Sequence, residues 1–234
     1  MKSAVQDKTK LVNSVFSKVH KKYDLMNDIM SMGIHRIWKN KLIDWMNPQL
    51  NENLIDVASG TGDIAKLFSK KNSNSAQITC VEPNDEMRFA GKSNLENFKN
   101  IKWHKGKAEK LPFKNDAYNF YTISYGIRNV SDINLSLKEA LRVLKPGGRF
   151  MCLEFSKIDN KMINLLYQKY SKVIPIVGKY IVGSSKPYDY LIKSINEFYT
   201  QDELANLIKK NGFSNVEYRN LSNGISAIHS GWKI

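Results

Sequence analysis

From residue 54 onwards, short apolar runs alternate with stretches in which apolar residues recur at helical spacing. The short runs are rich in β-branched and aromatic residues and are bounded by Gly, Pro, Asn or Ser, a pattern that predicts buried strands. These runs are LIDVA, AQITCVEP, FYTISYG and RFMCLEFS, and amphipathic segments such as IAKLFSKK and INLSLKEALRVLK lie between them. Strands that alternate with helices indicate βαβ units, so we predict an α/β fold in which helices cover both faces of a doubly wound parallel sheet.

Two segments do not follow this alternation. Residues 11–47 carry apolar side chains at helical spacing, which predicts two or three helices before the first strand. Residues 160–195 are rich in Tyr and Ile, and prolines and glycines interrupt their helical pattern. We interpret the first segment as an N-terminal helical lid and the second as a helical cap that is inserted before the final strands.

The sequence TQDELANLIKKNGF predicts a late helix with Thr200 as its N-cap and Gly212 as its stop. VEYRNL and ISAIHSGW follow it and are typical of a closing hairpin. At about 100–200 residues per domain, a chain of this length fits one domain. We expect a single domain over 1–234, divided into the lid (1–50), the cofactor-binding core (51–156), the cap (157–199) and the C-terminal helix and hairpin (200–234).

The composition is typical of a soluble globular protein, with 42% hydrophobic and 25% charged residues among 234. No stretch approaches the roughly 18 consecutive apolar residues of a membrane-spanning helix. The opening MKSAVQDKTK also lacks the apolar segment of a secretory signal. We therefore expect a cytoplasmic protein.

The net charge of +14 is the unusual feature of the composition. It points to nucleic acid, an anionic membrane surface or acidic ligands if it reflects binding. Of the 36 basic residues 30 are Lys, and the chain has 24 Asn, an enrichment that AT-rich codon usage also produces. Only six residues are Arg, the side chain on which sequence readout of nucleic acid depends. Background composition and membrane attraction are therefore favoured over nucleic-acid binding.

Cys80 and Cys152 both lie within predicted strands, where a cysteine is typically a small buried hydrophobe. The two cysteines and four histidines show no spacing that resembles a zinc site. We therefore expect no bound metal.

The segment LIDVASGTGDIA is the most informative part of the chain. A predicted strand ends at Asp56 and Val57, and Gly60 and Gly62 allow the backbone to approach a bulky ligand before the next helix. With Ala65 these glycines also satisfy the GxGxxA dinucleotide pattern, so the motif alone is compatible with a nicotinamide cofactor and with S-adenosylmethionine. Glu82 follows the next strand, where a carboxylate can accept hydrogen bonds from both ribose hydroxyls of an adenosine-bearing ligand.

The remaining motifs distinguish these two cofactors. GKAEKLPF, ISYGIRNV and RVLKPGGRFMCLEFS follow in the order that is typical of class I S-adenosylmethionine-dependent methyltransferases. The chain resembles one family of that class, the ubiquinone/menaquinone biosynthesis C-methyltransferases. The blocks that carry this resemblance span nearly the whole chain and are YDLMNDIMSMGIHRIW, DVASGTGD, SYGIRNV, RVLKPGGRFMCLEFS, KPYDYLIKSI and NGISAIHSGWK.

The resemblance implies a Rossmann-like sheet with S-adenosylmethionine as the cofactor. The cofactor-binding residues that we carry over are Asp56, Gly60, Thr61, Gly62, Glu82, Lys107, Ala108 and Ser124. Thr61 lies in the glycine turn, Glu82 binds the ribose, and Ser124 ends the fourth strand beneath the cofactor. Lys107 departs from the family, which usually has Asn or Asp beside the adenine, because a lysine offers no acceptor to the adenine amino group. We expect backbone groups to serve there.

The reaction that the resemblance implies is methyl transfer to a ring carbon of a polyprenylated benzoquinol or naphthoquinol. Such a carbon becomes nucleophilic when a neighbouring phenol loses its proton, so the enzyme must stabilise a phenolate. We assign that role to Arg128, and an ion pair between Arg128 and a nearby carboxylate is the alternative interpretation.

A second group of side chains is expected to close over the quinol head. Its members are Tyr23, Asn27, His35, Tyr188 and Tyr190. The alternative interpretation is that some of these tyrosines pack helices together. His35 is either a catalytic base or a structural histidine, and the structural interpretation is favoured.

The expected partners follow from the substrate, because a polyprenyl quinol resides in the bilayer. We expect the protein to bind the anionic surface on the inner face of the membrane, without crossing the bilayer. Residues 161–183, KMINLLYQKYSKVIPIVGKYIVG, combine apolar residues at helical spacing with several lysines and are the predicted contact. Burial of this segment under the cap is the alternative. A homodimer and a quinone-biosynthesis complex are further candidate assemblies.

Three other functions are compatible with parts of the sequence. The GxGxxA match favours a hydride-transferring dehydrogenase, and the basic charge favours an RNA methyltransferase. The latter is disfavoured because ISYGIRNV, and not an NPPY-like tetrapeptide, ends the fourth strand. A non-catalytic member of a quinone-synthesis assembly is the third alternative.

Overall fold

The computed structural model describes residues 33–158 and 186–234, together with Asp28, Ser31 and Tyr170. The strands within these residues are β1 (Leu54–Val57), β2 (Ile78–Val81), β3 (Ile101–His104), β4 (Tyr118–Ser124), β5 (Leu144–Phe155), β6 (Ser214–Leu221) and β7 (Ser226–Trp232). The α-helices are α1 (His35–Met46), α2 (Asp63–Lys71), α3 (Asp85–Asn94), α4 (Ile133–Val143), α5 (Lys186–Asn196) and α6 (Gln201–Lys210). Short 3₁₀ helices cover Ile127–Asn129 and Ser222–Gly224.

The strands form one sheet in the order β3-β2-β1-β4-β5-β7-β6. β1 to β5 run parallel, whereas β7 is antiparallel to both β5 and β6. The chain winds outward from β1 to β3 and then returns to β4 on the other side of β1, which confirms the predicted doubly wound α/β fold. The carboxyl ends of β1 and β4 meet where the winding direction reverses, and open α/β sheets bind their ligands at such a point.

The predicted apolar runs correspond to β1, β2, β4 and β5, and the predicted hairpin corresponds to β6 and β7. β5 begins earlier than predicted, at Leu144, because Leu144 already pairs with Tyr118 of β4. The Pro-Gly-Gly segment lies in a register shift, and regular pairing resumes at Arg149. β3 has no counterpart among the predicted runs. It is an edge strand in which only Ile101 and Trp103 turn toward the core, so its apolar pattern is too short to stand out.

The sheet separates two hydrophobic cores, as two successive residues of β4 illustrate. Phe120 packs on one face with residues of α1, α2 and α5, and Tyr121 packs on the other face with residues of α4 and α6. Side chains alternate across a strand, so each face receives its own helical layer. Cys80 and Cys152 are buried free cysteines in different cores, as the sequence predicts.

α1 belongs to the segment predicted as the N-terminal lid, and it packs against the core. Trp38, Leu42 and Met46 are buried on its inner face. The indole Nε1 of Trp38 donates a hydrogen bond to Ser222 Oγ at 3.1 Å, and its ring meets Phe155 edge-on. These contacts fix the position of α1. The division of the whole chain into lid, core, cap and C-terminal part stays a prediction, because much of the lid and cap lies outside the described residues.

α6 begins at its predicted N-cap. Thr200 Oγ1 accepts a hydrogen bond from the backbone N–H of Glu203, and the Glu203 carboxylate accepts one from the backbone N–H of Thr200. This reciprocal capping box satisfies two N–H groups that have no partner within the helix. Separately, no helix in the described part of the chain is long and apolar enough to cross a membrane.

Candidate active site

A tight glycine turn joins β1 to α2 at the carboxyl edge of the sheet. Gly60 and Gly62 both have a positive φ, of 57° and 89°. A Cβ atom on Gly62 would lie 2.5 Å from Leu95 Cδ1 and 3.0 Å from Trp103 Cζ2, so only glycine fits where α2 begins. Thr61 lies between the two glycines and is buried. The segment LIDVASGTGDIA thus forms the strand, turn and helix that its motif requires.

A cavity lies beside this turn, at the carboxyl ends of β1 and β4. The residues that line it are Lys39, Asp56, Ala58, Ser59, Gly60, Thr61, Asp63, Ile64, Ser124 and Tyr125. Four predicted cofactor-binding residues are therefore brought together in one cavity, namely Asp56, Gly60, Thr61 and Ser124. This cavity lies where the winding direction of the sheet reverses.

Glu82 directly follows β2 and lies against the glycine turn. Its Oε2 accepts a hydrogen bond from the backbone N–H of Gly60 at 2.9 Å, and its Oε1 accepts one from that of Asn84 at 3.0 Å. Burial raises the pKa of the Glu82 carboxyl to about 7, although both backbone N–H groups favour the charged form. A carboxylate oxygen can accept more than one hydrogen bond, so these contacts leave acceptor capacity for ribose hydroxyls.

Asp56 is a second buried carboxyl group at this edge. Its Oδ1 accepts a hydrogen bond from Thr122 Oγ1 at 2.7 Å, whereas its Oδ2 has no hydrogen-bond partner among the described residues. Burial raises the pKa of the Asp56 carboxyl to about 7, and the negative charges of Asp63 and Glu82 act in the same direction. The cavity therefore contains a buried acceptor that suits an ammonium or hydroxyl donor.

Ser124 ends β4 and provides another buried polar atom in the cavity. Its Oγ has no hydrogen-bond partner within the part of the chain that the structure describes. Buried polar atoms in native proteins are nearly always hydrogen-bonded, to protein, water or ligand. Together with the glycine turn and Glu82, the free acceptors of Ser124 and Asp56 fit the hydroxyl and ammonium groups of the predicted cofactor.

Lys107 and Ala108 follow β3, in a loop that packs closely against β2. A Cβ atom on Gly106 would lie 2.9 Å from Val81 Cγ1, so the loop backbone is held near the end of β2. Ala108 is buried, whereas the side chain of Lys107 is exposed. The contact with adenine, and the use of backbone groups at the position of Lys107, stay predictions.

Lys39 is a cavity residue that sequence reasoning missed. It lies on α1 with only 6% of its surface exposed, and its Nζ lies 2.5 Å from Asp63 Oδ2 at the start of α2. Burial opposes the ionisation of Asp63, but the Lys39 ammonium outweighs it and holds the pKa of that carboxyl below its usual range. The signal in the sequence is the position of Lys39 between Trp38 and Leu42 on the apolar face of α1, where an unpaired lysine is rare.

Arg128 lies in the 3₁₀ helix after β4 and forms a buried ion pair with Glu154 of β5. Its Nη1 also donates to the carbonyl oxygen of Tyr125 at 3.2 Å, and its Nε donates to Ser194 Oγ at 3.3 Å. The alternative interpretation of Arg128, an ion pair with a nearby carboxylate, is therefore present in the structure. Tyr125 lines the cavity, so Arg128 contacts a lining residue without being one itself. Its catalytic role stays a prediction.

Glu154 is the second residue of this region that sequence reasoning missed. Burial raises the pKa of its carboxyl, although the charge of Arg128 acts in the opposite direction. Its Oε1 accepts a hydrogen bond from the backbone N–H of Phe155 at 2.9 Å, and its Oε2 has no hydrogen-bond partner among the described residues. In the sequence, Glu154 is one charged residue within the apolar run FMCLEFS. A charge in a strand that is buried on both faces indicates a partner elsewhere in the fold.

The two tyrosines of α5 have different surroundings. Tyr190 Oη donates a hydrogen bond to Asn129 Oδ1 at 2.9 Å, and burial raises the pKa of its phenol. Tyr188 is fully buried in the core that contains α1, so it packs elements together, as the alternative interpretation predicts. Tyr190 thus lies near the ion pair between Arg128 and Glu154. Tyr188 is not among the residues that line the cavity. Tyr23 and Asn27 lie outside the described residues.

His35 begins α1 and is almost completely buried. Its Nε2 forms a hydrogen bond with Asp28 Oδ1 at 2.9 Å, and both oxygens of Asp28 also bind the guanidinium of Arg36. Burial lowers the pKa of the imidazole, and the positive charge of Lys39 lowers it further. This geometry matches the structural interpretation of His35, and a role as a base stays a prediction.

Comparison with known proteins identifies the family. A model described as the ubiE/COQ5 methyltransferase family matches residues 2–233. The ubiquinone/menaquinone biosynthesis C-methyltransferase UbiE of Rickettsia bellii (strain OSU 85-389) is 49% identical over 240 residues, which cover 100% of this chain and 96% of the relative. The protein of the same name from Rickettsia akari (strain Hartford) is 49% identical over 231 residues, which cover 96% and 93%.

The fold is similar to that of solved methyltransferases. An S-adenosylmethionine-dependent methyltransferase of Thermotoga maritima, described as a possible histamine N-methyltransferase, superposes with a TM-score of 0.66 at 20% identity. The superposition covers 94% of this chain and 99% of the Thermotoga chain, and it confirms the predicted Rossmann-like class I sheet. The sheet, the glycine turn and the family match over nearly every residue agree with one another, and the chain belongs to the ubiE/COQ5 methyltransferase family.

Proposed function

We propose that the chain transfers the methyl group of S-adenosylmethionine to a ring carbon of a reduced, polyprenylated benzoquinol or naphthoquinol. The observation that carries this proposal is the similarity over the full chain to ubiquinone/menaquinone biosynthesis C-methyltransferases, at 49% identity. The name of those relatives supports a quinone precursor as the acceptor. Membership in a methyltransferase family weighs against the dehydrogenase that the GxGxxA pattern also allows.

Bound S-adenosylmethionine supplies an electrophilic methyl group on a positively charged sulfur. The task of the chain at this end of the site is to bind and orient the cofactor. Glu82 offers carboxylate oxygens to the ribose hydroxyls beside the glycine turn. Asp56 Oδ2 and Ser124 Oγ are buried acceptors without a partner among the described residues, and they suit the donors at the amino-acid end.

The acceptor carbon requires electron density from a neighbouring phenol oxygen. We assign the stabilisation of the resulting phenolate to Arg128, whose guanidinium supplies a positive charge and N–H donors. Contacts with Glu154 and the Tyr125 carbonyl hold the guanidinium in one place before substrate arrives. A fixed charge in a buried site stabilises a developing negative charge more strongly than a solvated one, because no solvent has to reorganise.

Tyr190 and Asn129 support the orientation of the quinol ring. The hydrogen bond between Tyr190 Oη and Asn129 Oδ1 joins α5 to the 3₁₀ helix that carries Arg128. A flat aromatic ring is well suited to pack against such a tyrosine. We therefore assign to Tyr190 the alignment of the ring beside Arg128, so that the reacting carbon meets the methyl group in line.

Methylation assays test the proposal. The purified protein is incubated with S-adenosylmethionine and short-tail analogues of both quinols under reducing conditions, and the products are identified by mass spectrometry. We expect a C-methylated product from at least one quinol. The quinol that is methylated identifies the acceptor class. Binding of S-adenosylhomocysteine without methylation of either quinol would contradict the acceptor, whereas binding of NADH in its place would support the dehydrogenase.

We further propose that the protein docks on an anionic membrane surface to reach its lipid-soluble substrate. The net charge of +14 supports this docking, as does the lysine-rich amphipathic pattern of residues 161–183. Apart from Tyr170, that segment lies outside the described residues. Attraction of about 1 kcal/mol per lysine near the surface gives weak, reversible binding that decreases with salt.

Cosedimentation with liposomes across a salt series measures this docking. We expect binding to anionic vesicles at low salt, little binding to neutral vesicles, and release as the salt concentration rises. Binding that is absent on anionic vesicles at low salt, or that does not respond to salt, would leave residues 161–183 as part of the cap. Sedimentation of the free protein also tests for the homodimer.

A further inference from the structure

We propose that Lys39 binds the α-carboxylate at the amino-acid end of S-adenosylmethionine, with Asp63 holding the Lys39 ammonium in position. This inference rests on the cofactor site proposed above. It assigns a cofactor-binding role to α1, an element that lies before the cofactor-binding core in the sequence.

The described residues that line the cavity include more acidic than basic side chains. Asp56 and Asp63 line the cavity, and Glu82 lies directly against its glycine turn. The amino-acid end of the cofactor carries an ammonium group, which these carboxyl groups can accept, and a carboxylate, which they would repel. Lys39 is the only basic residue among the described residues that line the cavity, so it is the one cationic side chain there that can offset this repulsion.

Among the described residues, Asp63 is the carboxylate that pairs with the Lys39 ammonium. Its ammonium has three N–H donors, and one of them binds Asp63 Oδ2 at 2.5 Å. The side chain of Lys39 is 8% exposed, whereas that of Asp63 is 40% exposed. The positive charge is therefore held on the buried side of the pair, at the cavity wall. A buried ammonium with a single carboxylate partner can bind a second carboxylate without losing the first.

Packing contacts hold α1 in place on both sides of Lys39. Trp38 precedes Lys39 and is fixed by its hydrogen bond to Ser222 and by its edge-on contact with Phe155. Leu42, one turn later, is completely buried. The backbone that carries Lys39 is thus anchored on both sides, so little freedom is lost when the ammonium binds a ligand.

The structural alternative is that Lys39 only ties α1 to α2. The chain offers a matched control for this, because Lys71 of α2 also pairs with Asp44 of α1, at 3.1 Å. Both residues of that second pair are exposed and neither lines the cavity. Lys71→Met therefore removes an ion pair between the same two helices without changing the charge of the cavity.

The experiment compares two ligands by isothermal titration calorimetry. One is S-adenosylhomocysteine, and the other is its decarboxylated analogue, which keeps the amino group and lacks only the carboxylate. For Lys39→Met we expect affinity for S-adenosylhomocysteine to fall about tenfold or more, since a hydrogen bond between charged groups is lost. Affinity for the decarboxylated analogue should change less than about twofold. Lys39→Arg should retain most of the preference for the carboxylate, and Lys71→Met should bind both ligands like the wild type.

Each other outcome has a defined meaning. If Lys39→Met loses affinity equally for both ligands, Lys39 only holds α1 against α2. If the affinity for both ligands is unchanged, other donors bind the carboxylate, such as the backbone of the glycine turn. Either result overturns the inference and leaves the cofactor site intact. A wild-type protein that binds neither ligand would instead overturn the cofactor site itself. Thermal unfolding of each variant confirms that the measured protein is folded.

Discussion

Arg128 and Glu154 form an ion pair that is buried where β4 and β5 end. Only 4% and 2% of the two side chains are exposed, and the guanidinium also lies over the ring of Phe155. A buried ion pair contributes little net stability, because desolvation offsets the attraction, but removal of one partner leaves an uncompensated charge. Substitution of Arg128 therefore changes stability as well as any catalytic function, and the two effects have to be measured separately.

A double variant separates the effect of Arg128 on stability from its effect on catalysis. Arg128→Ala should lower turnover by about 100-fold or more and leave the affinity for S-adenosylhomocysteine near that of the wild type. It should also reduce the free energy of unfolding by about 3–5 kcal/mol, because Glu154 loses its partner. Arg128→Ala combined with Glu154→Gln removes both charges and should recover much of the stability, but no turnover.

Steady-state kinetics, calorimetry and chemical denaturation measure these quantities. If the double variant recovers turnover together with stability, Arg128 has a structural role and the phenolate is stabilised by another group. If cofactor affinity collapses in a folded Arg128→Ala protein, Arg128 belongs to the cofactor site.

Glu82 should be required for cofactor binding. Glu82→Ala removes charge-assisted hydrogen bonds to the ribose, each worth roughly 1.5–3 kcal/mol, so affinity for S-adenosylhomocysteine should fall at least about tenfold. Glu96, an exposed residue after α3, provides the control, and Glu96→Ala should bind normally. Calorimetry on folded protein measures both affinities. Normal binding by Glu82→Ala would exclude Glu82 from the ribose site.

The strands of the site could be predicted because each one has a local signal. A buried strand followed by a Gly-rich turn identifies Gly60 and Gly62, and a carboxylate directly after the next buried strand identifies Glu82. Parallel strands bring their carboxyl ends to one edge, so Asp56, Glu82 and Ser124 meet without any further information. In the structure, the Glu82 carboxylate accepts a hydrogen bond from the backbone N–H of Gly60.

Lys39 and Glu154 could not be assigned in the same way, because their partners are remote in sequence. Lys39 pairs with Asp63, twenty-four residues later, and only the packing of α1 on α2 brings them together. Glu154 pairs with Arg128 across two neighbouring strands. In both cases the sequence shows a charge at an apolar position, which indicates a partner but does not identify it. β3 was missed for another reason, since an edge strand with two inward side chains has little pattern.

The stability of the ligand-free protein should depend on pH through Glu82. Burial raises the pKa of its carboxyl from 4.5 to about 7, so between these values the folded protein holds a proton that the unfolded chain has lost. The favourable contribution of Glu82 to the free energy of unfolding is complete below pH 4.5 and is lost as the pH rises through about 7. Glu82→Gln has no titrating group at this position. The stability of the wild type relative to this variant should therefore fall by about 1–3 kcal/mol between about pH 5 and about pH 8.

Chemical denaturation at a series of pH values measures this difference. Because the comparison is made between two proteins, the titration of groups that do not interact with Glu82 cancels. Parallel pH profiles of the two proteins would falsify the raised pKa of Glu82.

Tyr190 and Tyr188 lie on one helix, and their phenylalanine variants should differ in effect. Tyr190→Phe removes the hydrogen bond to Asn129, beside Arg128. A neutral hydrogen bond is worth about 0.5–1.5 kcal/mol, so we expect the Michaelis constant for the quinol to rise about two- to tenfold with unchanged affinity for S-adenosylhomocysteine. The hydroxyl of Tyr188 is buried and has no hydrogen-bond partner among the described residues. Tyr188→Phe should therefore leave the kinetics unchanged and increase the free energy of unfolding by about 1 kcal/mol.

The comparison of the two variants separates alignment of the substrate from packing of the helix. If Tyr190 only packs α5 against the 3₁₀ helix, its loss should lower the free energy of unfolding and leave the Michaelis constant for the quinol unchanged. If Tyr190 aligns the quinol ring, the Michaelis constant should rise even where the protein is fully folded. Asn129→Ala removes the other partner of the same hydrogen bond, together with the contact between Asn129 Nδ2 and the carbonyl oxygen of Tyr125 at 3.4 Å. The double variant with Tyr190→Phe should therefore be no worse than Asn129→Ala alone. Additive effects of the two substitutions on the Michaelis constant would show that the residues act independently, against the role assigned to their hydrogen bond.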